Sequence, residues 1–165
     1  MAGVFDPSRR HRRSIRLRGY DYRSAGAYYV TLVAQGGAGP FGRLTGDCVE
    51  LNDAGRMVQA AWDGLADHYA GVELDASILM PGHLHGIIVL TGAGSDAPGP
   101  ARSLADLVQR SKTLTTKRYI DGVRDAGRAP FEGRLWQRNY YEHIIRDETS
   151  LMAIRQYTAD NPINP

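Results

Sequence analysis

The stretch from Val72 to Leu90 constrains the fold of this chain more than any other part of its sequence. Its first half, Val72 to Met80, alternates apolar and polar residues, which predicts a strand with one buried face. Pro81-Gly82 then fits the central positions of a type II turn, in which glycine takes a positive φ. His83 to Leu90 is apolar on both faces beyond its histidines. We therefore expect an antiparallel hairpin whose second strand is central and covered on both sides.

The other segments predict helices and strands that would complete a sheet around this hairpin. Strands are predicted at 28–34 and 138–146, and a short hairpin is predicted to join 41–44 to 48–51. One helix should begin after Asn52 or Asp53, a second near Leu104, and a last one after Asp147, running to about Asp160. The first helix carries an apolar stripe at Met57, Ala61, Leu65 and Tyr69. The second should expose Arg110, Lys112, Lys117 and Arg118. This order predicts an α+β fold, a ferredoxin-like split βαβ antiparallel sheet with an added C-terminal helix.

Basic residues are concentrated near the N-terminus. Residues 9–18 contain six of the 20 lysine and arginine side chains. We expect 1–24 to form a basic arm and 25–165 a single domain. The candidate contacts to phosphates or to a minor groove are Arg12, Arg13, Arg16 and Arg18. A solvated tail or a transit-peptide-like start is the alternative, although Asp6 and Pro7 argue against a transit peptide.

Several classes of protein are excluded by composition. The single cysteine, Cys48, cannot build an internal disulfide framework or a cysteine-based zinc site. No apolar run approaches the ~18 to 20 residues of a membrane span, and the N-terminus has no signal-peptide apolar core. The sequence also contains no Gly-x-x-x-x-Gly-Lys-Ser/Thr nucleotide-binding loop. We expect a cytoplasmic protein without a membrane partner.

Two pairs of residues are candidates for a metal site. His83 and His85 are separated by one residue on a predicted strand, so both imidazoles should lie on one face and could bind one metal ion. Such a pair is also compatible with a structural role. Tyr157 and Asn161 are four residues apart in the last predicted helix and should share a face. Two imidazoles and an amide oxygen suit Mg²⁺ or Mn²⁺, although imidazole also suits zinc. Asn161, followed by Pro162, can equally be a helix stop.

Three stretches together resemble the single-tyrosine HUH transposases, and most closely the REP-associated tyrosine transposases and their insertion-sequence relatives. The stretches are Met80-Pro-Gly-His-Leu-His-Gly-Ile-Ile-Val89, Leu135-Trp-Gln-Arg-Asn-Tyr-Tyr-Glu-His-Ile-Ile-Arg146 and Ile154-Arg-Gln-Tyr-Thr-Ala-Asp-Asn-Pro162. The resemblance extends over most of the chain, including residues 16–22 and 51–56. Many members have asparagine where this chain has Gly82, a difference that we expect to affect the histidines little.

The resemblance implies both a site and a substrate. It implies that His83 and His85 bind a divalent metal, that Asn161 completes the metal site, and that Tyr157 on the C-terminal catalytic helix is the nucleophile. The substrate would be single-stranded DNA beside a short hairpin, cleaved through a 5′-phosphotyrosine intermediate. Lys112 and Arg138 are further candidate DNA contacts. The active unit would be a monomer or a homodimer, because some relatives exchange the tyrosine helix between subunits.

Two other functions remain open from the sequence. One is a domesticated protein that binds hairpin DNA without cutting it, and the other is a metal-dependent phosphoesterase in which Tyr157 is structural. Among the other tyrosines, Tyr119, Tyr140 and Tyr141 fit core or DNA-stacking roles better than a nucleophilic one. His143 is interpreted as a strand residue near the site and not as a ligand.

Overall fold

The computed structural model describes residues 16–36, 39–92 and 102–162. Its elements are β1 (Gly26–Val33), β2 (Gly42–Thr45), β3 (Cys48–Leu51), α1 (Asp53–Asp63), β4 (Val72–Leu79), β5 (His83–Leu90), α2 (Leu104–Ala126), β6 (Tyr141–Ile145) and α3 (Glu148–Asp160). Four strands form an antiparallel sheet in the order β4-β5-β1-β6, and β2 pairs with β3 in a separate hairpin. The predicted α+β class and split βαβ order are confirmed.

Strand β5 lies inside the sheet, as its apolar sequence predicted. It pairs with β4 on one side and with β1 on the other. Leu84, Ile87 and Ile88 are buried, which fits a strand whose two faces are both covered along most of its length. The two histidines therefore lie at the start of an inner strand, which fixes their place in the sheet.

One face of the sheet packs against α1 and α2. The buried residues that meet there include Tyr28, Val30, Leu32, Val58, Trp62, Leu84, Ile88, Leu104, Leu107 and Val108. The indole of Trp62 lies so close to Gly86 that a Cβ at that position would overlap the ring. Gly86 is thus required for close contact between α1 and β5.

Side-chain caps fix where the helices begin. Asn52 accepts a hydrogen bond from the Gly55 amide (2.9 Å), as predicted for the first helix. Ser103 and Asp106 form a capping box at the start of α2, and Asp147 accepts from the Ser150 amide (2.7 Å) at the start of α3. None of the helices in the described ranges is long and apolar enough to cross a membrane.

Three local predictions are wrong. Helix α1 ends at Asp63 with Gly64 as its cap. The last two residues of the predicted apolar stripe, Leu65 and Tyr69, therefore lie after the helix and not within it. Strand β6 begins at Tyr141 and not at residue 138. Gly82 does not have a positive φ, so the Pro81-Gly82 connection is not a type II turn. The amides of Ala34 and Phe41 donate to its carbonyls at 2.8 and 3.0 Å, and these outside contacts fix the connection instead.

Candidate active site

The two histidines lie side by side at the start of β5. Their ring centroids are 4.7 Å apart, with the planes at 73°, and His85 is only 7% exposed. Burial, and secondarily the neighbouring His83, lower the pKa of His85 to about 4. Burial also lowers the pKa of His83. Both imidazoles are therefore neutral near pH 7, which is the form that binds a metal ion.

A hydrogen bond from the neighbouring strand orients His85. Thr31 on β1 lies directly opposite His85 in the sheet, and its hydroxyl is 2.8 Å from Nδ1 of the imidazole. This contact engages Nδ1 and leaves Nε2 as the nitrogen available to a ligand. Thr31 is not identifiable from the sequence, because the sequence does not reveal the register between β1 and β5.

Helix α3 brings Tyr157 to the histidines. The Tyr157 ring centroid lies 5.9 Å from that of His85 and 6.5 Å from that of Tyr29, and its side chain is 52% exposed. Tyr29 stacks on His85 with a centroid distance of 5.5 Å. Burial, and secondarily Tyr157, raise the pKa of Tyr29 to about 12, so this phenol stays neutral.

Asn161 provides a buried oxygen at the same place. It is the C-cap of α3 and is 2% exposed. Its side chain lies near enough to His83 to offset part of the fall in the His83 pKa. Even so, Asn161 Oδ1 has no regular hydrogen-bond partner among the described residues. An unpaired buried carbonyl oxygen is unfavourable unless a donor or a cation binds it.

These donors fit a divalent cation as a mixed nitrogen and oxygen set. His83, His85 and Asn161 offer two neutral imidazoles and one buried amide oxygen. The described residues contain no group of three or more His, Cys, Asp or Glu side chains that could hold a metal. Binding would therefore depend on the amide oxygen as well as the imidazoles, which is a weak protein ligand set that leaves positions for other oxygens.

An ion pair with β4 holds α3 in position. The ladder between β4 and β5 is interrupted between Leu74 and Ser77, and Asp75 lies in this irregular segment. Both oxygens of Asp75 accept from Arg155 on α3, at 2.9 and 2.6 Å. Arg155 also lowers the pKa of Asp75. Thr158 is the only buried side chain among residues 148–160, all of which are described, so polar contacts contribute much of the attachment of α3.

The predicted DNA contacts have different surroundings. Arg12 and Arg13 lie outside the described residues. Arg16 contacts Glu142 (2.5 Å) and the hydroxyl of Tyr140, and its guanidinium lies 4.0 Å from the centroid of the Tyr140 ring. Arg18 and Arg138 are exposed. Arg16 thus fastens the N-terminal segment to the sheet and to the loop before β6.

Lys112 is not on the polar surface of α2, where the sequence placed it. It is 9% exposed, and its ammonium donates to the backbone carbonyls of residues 137 and 139 at 2.8 and 3.0 Å. Burial, and secondarily Arg16, lower its pKa to about 8. The contacts of Lys112 support a structural role in holding the loop before β6, and they do not support a phosphate contact.

The chain is similar in fold and in sequence to transposase-like proteins. No model of a known protein family matches the chain. A Haemophilus influenzae protein of uncharacterized function is 38% identical over 160 residues, covering 93% of this chain and 89% of the relative. A second protein of that organism, provisionally named a REP-associated tyrosine transposase, is 25% identical over 146 residues, covering 87% of this chain and 73% of the relative.

Two solved structures have the same fold. A REP-associated tyrosine transposase bound to a REP hairpin has a TM-score of 0.62 at 18% identity, covering 90% of this chain and 72% of the other. A Deinococcus radiodurans protein, provisionally described as a transposase, has a TM-score of 0.50 at 19% identity, covering 89% and 96%. The likeness to these two structures shows that the chain has a transposase-like fold. The chain belongs to one family with the 38% identical Haemophilus influenzae protein, and it is similar to REP-associated tyrosine transposases in fold and, more distantly, in sequence.

Proposed function

We propose that this protein is a metal-dependent single-stranded DNA endonuclease and strand transferase that acts beside DNA hairpins. One observation carries the proposal. A half-exposed tyrosine, two neutral imidazoles and a buried amide oxygen, for which the described part of the chain offers no regular hydrogen-bond partner, converge on one face of the sheet. The relative of known structure that is bound to a REP hairpin supports the choice of substrate.

In the proposed reaction, Tyr157 attacks a phosphodiester in line. The bond from Tyr157 Oη to phosphorus forms while the bond from phosphorus to the 3′ oxygen breaks. The phenol loses its proton, the departing 3′ oxygen takes one up, and the products are a 5′-phosphotyrosine and a free 3′-OH. Because the ester keeps a phosphodiester-like bond, a 3′-OH can reverse the step and join strands without a nucleotide cofactor.

His83, His85 and Asn161 are the residues that would hold Mg²⁺ or Mn²⁺. When bound, such an ion withdraws charge from the non-bridging phosphate oxygens and orients the phosphate. The protein's own contribution is positional: Thr31 fixes the His85 ring, and the contact between Asp75 and Arg155 fixes the helix that carries Tyr157. The exposure of Tyr157 leaves its hydroxyl accessible to a substrate from solvent.

The test is covalent adduct formation with a single-stranded hairpin oligonucleotide and Mg²⁺ or Mn²⁺. We expect a denaturation-resistant protein–DNA adduct with the wild-type chain and none with Tyr157→Phe. Tyr69→Phe is the matched control, because Tyr69 packs against the core outside the site, and it should form the adduct normally. Binding without cleavage by the wild-type chain would indicate a hairpin-binding protein. Cleavage that survives Tyr157→Phe would indicate a phosphoesterase that uses water.

The metal ligands need a separate experiment. A His83→Ala/His85→Ala double variant should lose adduct formation and measurable Mn²⁺ binding, because both nitrogen ligands are removed. Circular dichroism should show that the variant is folded. Normal adduct formation by this folded double variant would contradict the metal assignment while leaving Tyr157 as the nucleophile.

A further inference from the structure

We propose that Tyr141 and His143 on β6 form a stacking surface for unpaired bases of single-stranded DNA next to the candidate active site. This inference rests on the proposed function, because it places the nucleotides that flank the scissile phosphate. It assigns a binding role to the sheet edge that the catalytic residues do not use.

The register of the sheet puts these two residues on the active-site face. Tyr141 lies opposite Thr31, and His143 lies opposite Tyr29. Directly paired residues of neighbouring strands project to the same face, and Thr31 is in turn paired with His85. Since adjacent strands are ~4.8 Å apart, Tyr141 lies ~10 Å across the sheet from His85. That is close enough for nucleotides near the reacting phosphate.

The exposure of Tyr141 has no explanation in the packing of the fold. Tyr141 is 69% exposed, more than any other large hydrophobic side chain of the described residues. His143 is exposed as well, while Glu142 and Ile144 between and beyond them are partly buried on the opposite face. Helix α3 packs mainly over β4, so that, within the described residues, it covers the β6 side of this face less. The aromatic side chains there are therefore free to meet a partner.

The surroundings of His143 are basic. A cleft of about 540 Å³ adjoins it and is lined by Arg16, Arg18 and Arg146, together with Glu142 and Asp147. Arg16 is paired with Glu142, whereas Arg18 and Arg146 are solvent-exposed. Exposed aromatic rings beside a positive groove are the combination with which proteins bind single strands, since bases stack on the rings and the groove follows the backbone. Charge complementarity thus favours a nucleic acid over a second copy of this chain.

The test measures the affinity of the full chain for a fluorescent single-stranded oligonucleotide by anisotropy. Tyr141→Ala should weaken binding on the order of tenfold, and Tyr141→Phe should bind like the wild type, because the ring and not the hydroxyl makes the contact. His143→Ala should weaken binding to a smaller extent. Ile120→Ala is the matched control, since Ile120 is an exposed apolar residue on α2, and it should have no effect.

Two further readouts separate stacking from other roles. Tyr141→Ala should leave the salt dependence of binding unchanged because no charge is removed, whereas Arg146→Ala should reduce it. Affinity for a blunt duplex should not change with Tyr141→Ala. Equal losses for single strand and duplex, equal losses in Tyr141→Phe and Tyr141→Ala, or a change of solution mass without a change of affinity would each overturn the proposal.

Failure of this inference is distinguishable from failure of the proposed function. If the wild-type chain forms the adduct and Tyr141→Ala binds single strands normally, the stacking surface is wrong and the catalytic proposal stands. If Tyr141→Ala loses affinity but the wild-type chain never forms an adduct, the stacking surface stands and the catalytic proposal is wrong.

Discussion

The two faces of the central sheet are built in different ways. The face toward α1 and α2 is a continuous layer of buried apolar side chains, with Trp62 pressed against Gly86. The other face carries the histidines, is covered by α3 mainly over β4, and exposes the Tyr141 side chain at β6. Helix α3 is held on this face through the buried Thr158 and the contact between Asp75 and Arg155.

The face toward α1 and α2 mainly stabilises the fold, whereas the other face carries the polar groups of the candidate site. Burial of apolar area on the first face provides most of the driving force for folding. The second face keeps polar groups at defined positions, and one of them, Asn161 Oδ1, has no regular hydrogen-bond partner within the described ranges. Substitutions on the first face should therefore lower the free energy of unfolding, whereas those on the second should mainly alter binding and reaction.

The largest effect on stability should come from a cavity in the apolar layer. Leu107→Ala removes a fully buried side chain of α2 and should lower the free energy of unfolding by ~2–5 kcal/mol. Met152→Ala on α3 is the matched helix substitution. Met152 is exposed, so the change should be within ~0.5 kcal/mol. Urea unfolding of the two variants would contradict the comparison if both losses were alike.

A large effect on the rate of adduct formation should follow when the contact that holds α3 on β4 is weakened. Asp75→Asn weakens the bidentate contact with Arg155. The rate of adduct formation should fall tenfold or more, because a displacement of ~1 Å can cost up to ~10²-fold. The stability of the apolar layer should change little. Single-turnover adduct assays at saturating DNA, together with hydrogen exchange of α3 amides, measure both effects.

A charge reversal provides the control for this contact. Asp75→Arg combined with Arg155→Asp should recover part of the rate that either single variant loses, which a merely destabilised helix would not do. Acidification gives a second check. Because Arg155 lowers the pKa of Asp75 from its ordinary value of 3.8, the contact should stabilise α3 above that pH and be lost as pH falls further.

Substitutions of two glycines in the β4–β5 hairpin should have stability effects of intermediate size. Gly86→Ala forces a methyl group into the Trp62 ring and should cost ~1–3 kcal/mol of stability. Gly82 has ordinary φ, and a Cβ there would meet nothing closer than 3.9 Å. Gly82→Asn should therefore change the free energy of unfolding by less than ~0.5 kcal/mol. Thermal or urea unfolding of both variants checks the difference, and similar losses would contradict it.

The smallest expected effect concerns the orientation of His85. Thr31→Val keeps the shape of the side chain but removes the hydroxyl that lies 2.8 Å from Nδ1. Mn²⁺ affinity should fall ~10-fold, since partners of metal-binding histidines typically contribute that much. Thr45→Val, in the separate β2–β3 hairpin, should leave Mn²⁺ affinity unchanged. Titration calorimetry on both variants distinguishes an orienting contact from a general effect of removing a strand threonine.

The fold was largely predictable because its signals are local. Alternation in Val72–Leu79 and the apolar run after His83 indicate a hairpin, and Asn52 and Asp147 are caps where they were expected. The predictions were wrong where contacts between residues distant in sequence determine the local conformation. The Pro81-Gly82 connection is fixed by amides of other segments, and Lys112 turns inward because the loop before β6 presents carbonyls to it.

The sequence predicted two pairs of site residues, but not that the two pairs lie together. Spacing alone places His83 with His85, and Tyr157 with Asn161, on common faces. The meeting of the two pairs depends on an ion pair between residues 80 positions apart and on the register that brings Thr31 to His85. Neither the ion pair nor the register has a signature in the local sequence. The roles of Thr31, Asp75 and Arg155 are therefore visible only in the structure.

The position of Asn161 links two processes that are usually separate. Asn161 is the residue at which α3 ends, and it also supplies the oxygen beside His83. Fraying of the last helical turn and loss of that oxygen are therefore a single event. In the proposed metal site, a cation bound to this oxygen would stabilise the end of α3, and unwinding of that end would lower the affinity for the cation by the same factor.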